Sequence, residues 1–97
     1  MRIAGFAWDE TNQAKLELHD LDSESVEELF ASGDPLAFRH PQRRDRFIVL
    51  GFVPDERFVL VVFEYNRRTR WVRVVTAYEQ TDSRRWVRYA KAKGLAG

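Results

Sequence analysis

Helical spacing in the first third of this 97-residue chain gives way to period two in the middle, and a last helical stretch closes it. This order predicts an α+β domain, a small twisted antiparallel sheet packed by helices. Three observations carry the prediction. Val26, Leu29 and Phe30 recur at i, i+3 and i+4. Ser32-Gly33-Asp34-Pro35 is a clear stop. Beyond it, β-branched and aromatic residues fill short runs divided by turn residues.

The elements follow in order. Residues 2–8 read as a short edge strand. Asp9 then offers a carboxylate to the unpaired N–H groups of a first helical turn. Residues 10–19 read as a helix with Ala14 and Leu18 on one face, broken at Asp20–Asp22. A second helix runs from Ser23 to Ala31, with Asp22 or Ser23 as its cap and acidic residues in its first turn to suit the helix dipole. Leu36–Arg39 reads as a strand, and residues 40–44 as a polar connection. Arg46–Val53, Phe58–Tyr65 and Arg70–Tyr78 read as a meander turned at Pro54-Asp55-Glu56 and Asn66-Arg67-Arg68-Thr69. The middle of these three is apolar on both faces and is expected at the centre of the sheet. Thr81 or Asp82 caps a last helix, which ends at Gly94. The order is β-α-α-β-β-β-β-α in a single domain spanning 1–97. Two helices are expected to cover one face of the sheet.

Composition narrows the function. There is no cysteine, so neither a disulfide framework nor a thiolate metal site is expected. His19 and His40 are the only histidines and do not stand at ligand spacing, so no metal and no cofactor are expected. The longest apolar run, Phe58–Phe63, is far short of a membrane span. The N-terminus lacks the basic-then-apolar layout of a secretory signal, and a cytoplasmic location is expected.

Charge is sorted along the chain. Residues 1–34 carry nine carboxylates against Arg2 and Lys15, and residues 66–97 carry nine cations against Glu79 and Asp82. The basic end is interleaved with Trp71, Tyr78, Trp86 and Tyr89, a composition that suits a polyanion with flat bases. The same charges also serve as solvated faces of a small domain.

Two blocks together resemble the BrnT family of bacterial toxins. The first is Phe6-Ala7-Trp8-Asp9-Glu10-Thr11-Asn12, followed by His19, Leu21, Glu24 and Val26-Glu27-Glu28. The second is Arg73-Val74-Val75-Thr76-Ala77, followed by Thr81, Arg85 and Tyr89. The similarity covers nearly the whole chain. It implies a RelE-like fold and a metal-independent endoribonuclease, the toxin half of a toxin–antitoxin pair. It also implies a cognate ribbon-helix-helix antitoxin as partner, in a toxin–antitoxin heterotetramer, with a homodimer as the other assembly. The chain departs from the family at Tyr78, where an arginine is usual, at Arg84, where a glutamate is usual, in the position of Tyr89, and at Lys15, where one subset has histidine.

Metal-free RNA cleavage needs a proton acceptor, cations for the phosphorane charge and groups that orient the nucleotide. Arg73 is the candidate for the charge. It shares a strand face with Trp71 and Val75, while Val72 and Val74 point the other way. His19 carries an imidazole, a group able to take and give a proton, but it equally suits a helix C-terminus. Tyr78 and Tyr89 are candidates for stacking or for a hydrogen bond to the scissile phosphate, and equally for amphipathic packing. Arg70, Trp71, Arg84, Arg85 and Arg88 are the candidate RNA contacts. The competing function is a non-catalytic RNA- or protein-binding module of the same fold. The expected site is one concave cationic surface made by the last strand and the last helix.

Overall fold

The computed structural model describes residues 2–95. Its elements are β1 (Gly5–Phe6), α1 (Glu10–Leu18), α2 (Ser23–Ser32), β2 (Leu36–Arg39), β3 (Phe47–Phe52), β4 (Phe58–Asn66), β5 (Trp71–Glu79) and α3 (Ser83–Ala92). The order is the expected one. The strands form one five-stranded sheet in the order β1-β5-β4-β3-β2. β2 to β5 pair antiparallel, whereas β1 pairs parallel with β5, Gly5 opposite Trp71 and Phe6 opposite Val72. The sheet is therefore mixed, which corrects the all-antiparallel expectation. The two N-terminal helices carry the chain away from β1, and only the later meander returns it, so nothing forces a hairpin at β1.

β4 is central, and both of its faces are buried. Val59, Val61 and Phe63 join a core with Leu16, Leu21, Val26 and Leu29 from the N-terminal helical region. Leu60 and Val62 join a second core with Ile48, Leu50 and Tyr89 of α3. Helices thus cover the sheet from opposite sides. Burying such side chains contributes about 1.5–3 kcal/mol each, which explains why the strand is apolar on both faces. The α2–β3 approach is close enough that a Cβ on Gly33 would collide with the Phe52 carbonyl oxygen and the Leu29 backbone.

Aspartates start all three helices: Asp9, Asp22 and Asp82 accept from the backbone N–H groups of Asn12, Ser25 and Arg84. Leu95 N–H donates to Ala90 O (2.8 Å) past Gly94, whose φ of +72° closes α3 as expected.

In α1 the buried pair is Asn12 and Leu16, while Leu18 is 81 % exposed and Ala14 is exposed. This corrects the Ala14–Leu18 face. The Asp9–Asn12 cap sets the rotation of α1, and the i, i+4 partner of Asn12 is Leu16.

β5 carries a bulge. Val62 pairs with Thr76 and Phe63 with Val74, leaving Val75 as the extra residue. Before it, Val72 and Val74 face the first core, and Trp71 and Arg73 the other side, as alternation requires. After it, Ala77 faces the first core, and Tyr78 packs with Val75 against the second.

Candidate functional site

The Trp8-Asp9-x-x-Asn12 run is a folding device that also places a charge. Asp9 Oδ1 accepts from Asn12 N–H (2.8 Å), and Asn12 Oδ1 accepts from Asp9 N–H (2.8 Å). Asn12 Nδ2 donates back to Ala7 O (3.1 Å), so this buried side chain ties the end of β1 to α1. Trp8 Nε1 donates to Glu27 Oε2 (2.8 Å), linking the same corner to α2. Phe6 and Phe30 continue the corner into the first core through an edge-on contact of 5.2 Å. The second carboxylate oxygen of Asp9 lies 3.9 Å from the Arg73 guanidinium.

Arg73 stands opposite Glu64 in the β4–β5 register, and its guanidinium lies 3.3 Å from the Glu64 carboxylate. The other oxygen of Glu64 lies 4.0 Å from Arg46 Nε, a buried atom with no hydrogen-bond partner. Glu64 is thereby held between two guanidinium groups. This cluster lies on the α3 side of the sheet but outside the area α3 covers. The aromatic and polar contacts of α3 fall on Phe38, Phe52 and Phe58 and on the Asp34–Pro35 turn, and Tyr89 packs into the second core with Leu60 and Val62, whereas Arg73 remains half-exposed. A cleft of about 360 Å³, lined by Ala7, Glu64, Asn66, Thr69, Trp71 and Arg73 among others, opens beside the cluster.

The other expected site residues lie elsewhere. His19 is the C-cap of α1, and its ring sits 5.9 Å from the half-buried Tyr78 ring. Tyr78 lies five positions along the strand from Arg73, roughly 15 Å, so one phosphate does not touch both. Tyr89 is fully buried, which corrects its assignment to the site. Its ring packs on Phe52 and Phe58, its hydroxyl donates to Asp34 O (2.7 Å), and burial pushes the phenol above its ordinary pKa. It is an amphipathic core residue with a satisfied hydroxyl.

The arginines of α3 do not converge with Arg73. Arg84 pairs with Asp82 (3.0 Å), whose hydrogen bond raises the guanidinium pKa. Arg88 stacks on Phe38 at 3.8 Å, on the opposite edge of the sheet. Arg85 forms no ion pair among the described residues. Trp86 rests on Phe58, six residues and about 20 Å along β4 from Glu64. The single concave cationic surface is replaced by a cluster on β4–β5 and a separate basic helix.

Sequence reasoning missed Glu64 and Arg46. The signal for Glu64 was present: one carboxylate in an apolar strand, placed opposite Arg73 once the turn at residues 66–70 is folded. Among the described residues, no three His, Cys, Asp or Glu side chains gather at metal-binding spacing, and no helix is long and apolar enough to cross a membrane.

The architecture defines an α+β protein with helices on both faces of a mixed sheet, which is left open at the Glu64–Arg73 end of β4–β5. The family described as "Domain of unknown function (DUF4258)" matches residues 13–79, more than half of the chain, and the chain belongs to that family. The match runs from α1 to β5 and takes in Arg46, Glu64 and Arg73, but not Asp9 or α3. No curated protein matches the chain.

Proposed function

We propose that this chain is a RelE-like, BrnT-like toxin, an endoribonuclease that needs no metal, works in the cytoplasm on RNA and is neutralised by a cognate ribbon-helix-helix antitoxin. The observation that carries the reading is Glu64 between Arg46 and Arg73 on the open part of the sheet. Glu64 takes the proton of a ribose 2′-hydroxyl. The freed oxygen attacks the neighbouring phosphorus, the bond to the 5′-oxygen breaks, and that oxygen leaves as a hydroxyl by taking a proton from solvent water, giving a 2′,3′-cyclic phosphate. Arg73 and Arg46 hold the charge that builds on the phosphorane oxygens. The contact with Asp9 is loose and half-exposed, so exchanging it for a phosphate costs little. The basic face of α3, with Arg84 and Arg85 beside the half-exposed Trp86 and Val87, serves the antitoxin, whose acidic segment complements it.

The test is purified protein incubated with RNA in chelator. Cleavage to cyclic-phosphate ends, lost in Glu64→Gln and in Arg73→Ala, is expected. Equal inertness of all three proteins on every RNA overturns the enzymatic reading.

The second reading is a non-catalytic binding module of this fold. The separation of His19 and Tyr78 from Arg73 favours it, as does tyrosine in place of arginine at position 78. Cleavage that appears only in Tyr78→Arg would select this reading.

A further inference from the structure

We propose that the β4–β5 hairpin, not α3, is the nucleic-acid subsite, and that it takes one unpaired nucleotide with its base stacked on Trp71 and the flanking phosphates on Arg67, Arg68 and Arg70. The proposal deepens the reading of the chain as an RNA-acting protein by naming where and how a single strand is held.

The platform is built by β1. A Cβ on Gly5 would come within 2.9 Å of Cζ2 of the Trp71 indole, so only glycine lets that ring lie against the β1 backbone. The ring is supported on that side and remains 47 % exposed. An indole fixed by backbone loses little freedom when a base stacks on it. The cleft beside it leads directly to Arg73 and Glu64.

The turn is held in one shape. Asn66 Oδ1 accepts from Arg68 N–H (2.9 Å) and Thr69 N–H (3.1 Å), and Arg70 N–H donates to Asn66 O (2.6 Å). Thr69 Oγ1 accepts from Trp71 N–H (3.3 Å). Arg70 has a φ of +63°, a conformation that disfavours side chains and is maintained by this network. Arg67, Arg68 and Arg70 are all exposed, and none forms an ion pair among the described residues. On α3, by contrast, Arg84 pairs with Asp82 and Arg88 stacks on Phe38, while Arg85 forms no ion pair among the described residues. Three exposed cations without an ion pair among the described residues, in the turn that leads into a supported aromatic ring, and a cleft lined by Asn66, Thr69 and that ring, match the chemistry of a single strand. A duplex keeps its bases stacked internally and offers none to the indole.

The test measures binding of fluorescent ten-nucleotide oligo(U), oligo(dT) and a duplex to Glu64→Gln protein, which removes cleavage from the assay. Stacking does not read the 2′-hydroxyl, so both single strands are expected to bind and the duplex to bind far more weakly. Trp71→Ala should weaken single-strand binding on the order of tenfold or more, while Trp71→Phe retains most of it. Replacing Arg67, Arg68 and Arg70 by glutamine should lower the slope of log affinity against log salt by roughly 2. Arg84→Gln with Arg85→Gln should leave it unchanged. Folding of each variant is checked by circular dichroism. These three arginines are exposed, so their replacement reports on the subsite even if Trp71→Ala unfolds. No binding by any oligonucleotide, or hairpin variants that bind like the parent, overturns the subsite. If hairpin effects appear but the parent never cuts RNA, the subsite stands and the ribonuclease reading falls.

Discussion

Asp9 and Arg73 meet at 3.9 Å, and the carboxylate that makes this contact also caps α1 through the Asn12 N–H. A residue that reads as a helix cap is thereby the neighbour of the central cation of the candidate site.

The two roles separate by substitution. Asp9→Asn keeps an acceptor for Asn12 and removes the charge beside Arg73. Stability should change by less than about 1 kcal/mol, and affinity for single-stranded RNA should rise about two- to fivefold. Urea denaturation and an RNA titration check both. A fall in affinity would place Asp9 among the groups that hold RNA.

Asn12→Ala leaves the Asp9 N–H and the Ala7 carbonyl without their partner in a nearly closed space, since Asn12 is 3 % exposed. A loss of about 2–3 kcal/mol is expected in equilibrium unfolding. A loss below about 0.5 kcal/mol would mean that the β1–α1 corner is not held by this side chain.

Tyr89→Phe removes the hydrogen bond to Asp34 O and leaves the ring in place. It should cost about 1 kcal/mol and leave RNA cleavage at the parent level. Tyr89→Ala should cost about 3–5 kcal/mol through the cavity it opens. Cleavage abolished in a stable Tyr89→Phe protein would return this residue to the active centre.

Leu16 and Leu18 give the sharpest contrast on α1. Leu16→Ala should destabilise by about 2–5 kcal/mol, and Leu18→Lys by no more than about 0.5 kcal/mol. Thermal unfolding of the pair checks the rotation of the helix, and the reverse order would refute it.

Acid sensitivity follows from three carboxyls held below their ordinary pKa. The cause is a backbone hydrogen bond from Ser25 at Asp22, and side-chain hydrogen bonds from Arg57 at Asp55 and from Arg84 at Asp82. Each folded value lies below the unfolded one. Their stabilisation is therefore complete above about pH 5 and drains away as pH falls through about 4 and below. The urea midpoint should follow that profile, with a shallower acid slope in Asp22→Asn. An unchanged slope would remove Asp22 from the account.

The element order was legible because apolar spacing reports local geometry directly. The 3.6 period of Val26, Leu29 and Phe30 and the doubly apolar run from Phe58 to Phe63 each have one economical burial. The starts of helices were legible for the same reason, since an aspartate cap acts within three residues. Arg73 and Trp71 stood out in the sequence because charge and aromatic character are visible before any packing, and the exposed side of β5 that alternation gives them is the one they take. Glu64 was not, because its meaning depends on register: only the turn at residues 66–70 brings it opposite Arg73. Tyr89 was misplaced because an amphipathic helix shows that one face is buried but not which aromatic ring the core takes.

Periodicity and capping chemistry, which act over a few neighbouring residues, determined by themselves the order of helices and strands found among the described residues. Contacts between residues distant in sequence decided the rest: the parallel docking of β1, the rotation of α1, the bulge at Val75, and the parting of the basic residues into a hairpin beside Glu64 and a helix at the far end. Those choices belong to the tertiary structure because each is settled by which surfaces close the two cores on either side of β4, and no local segment carries that information.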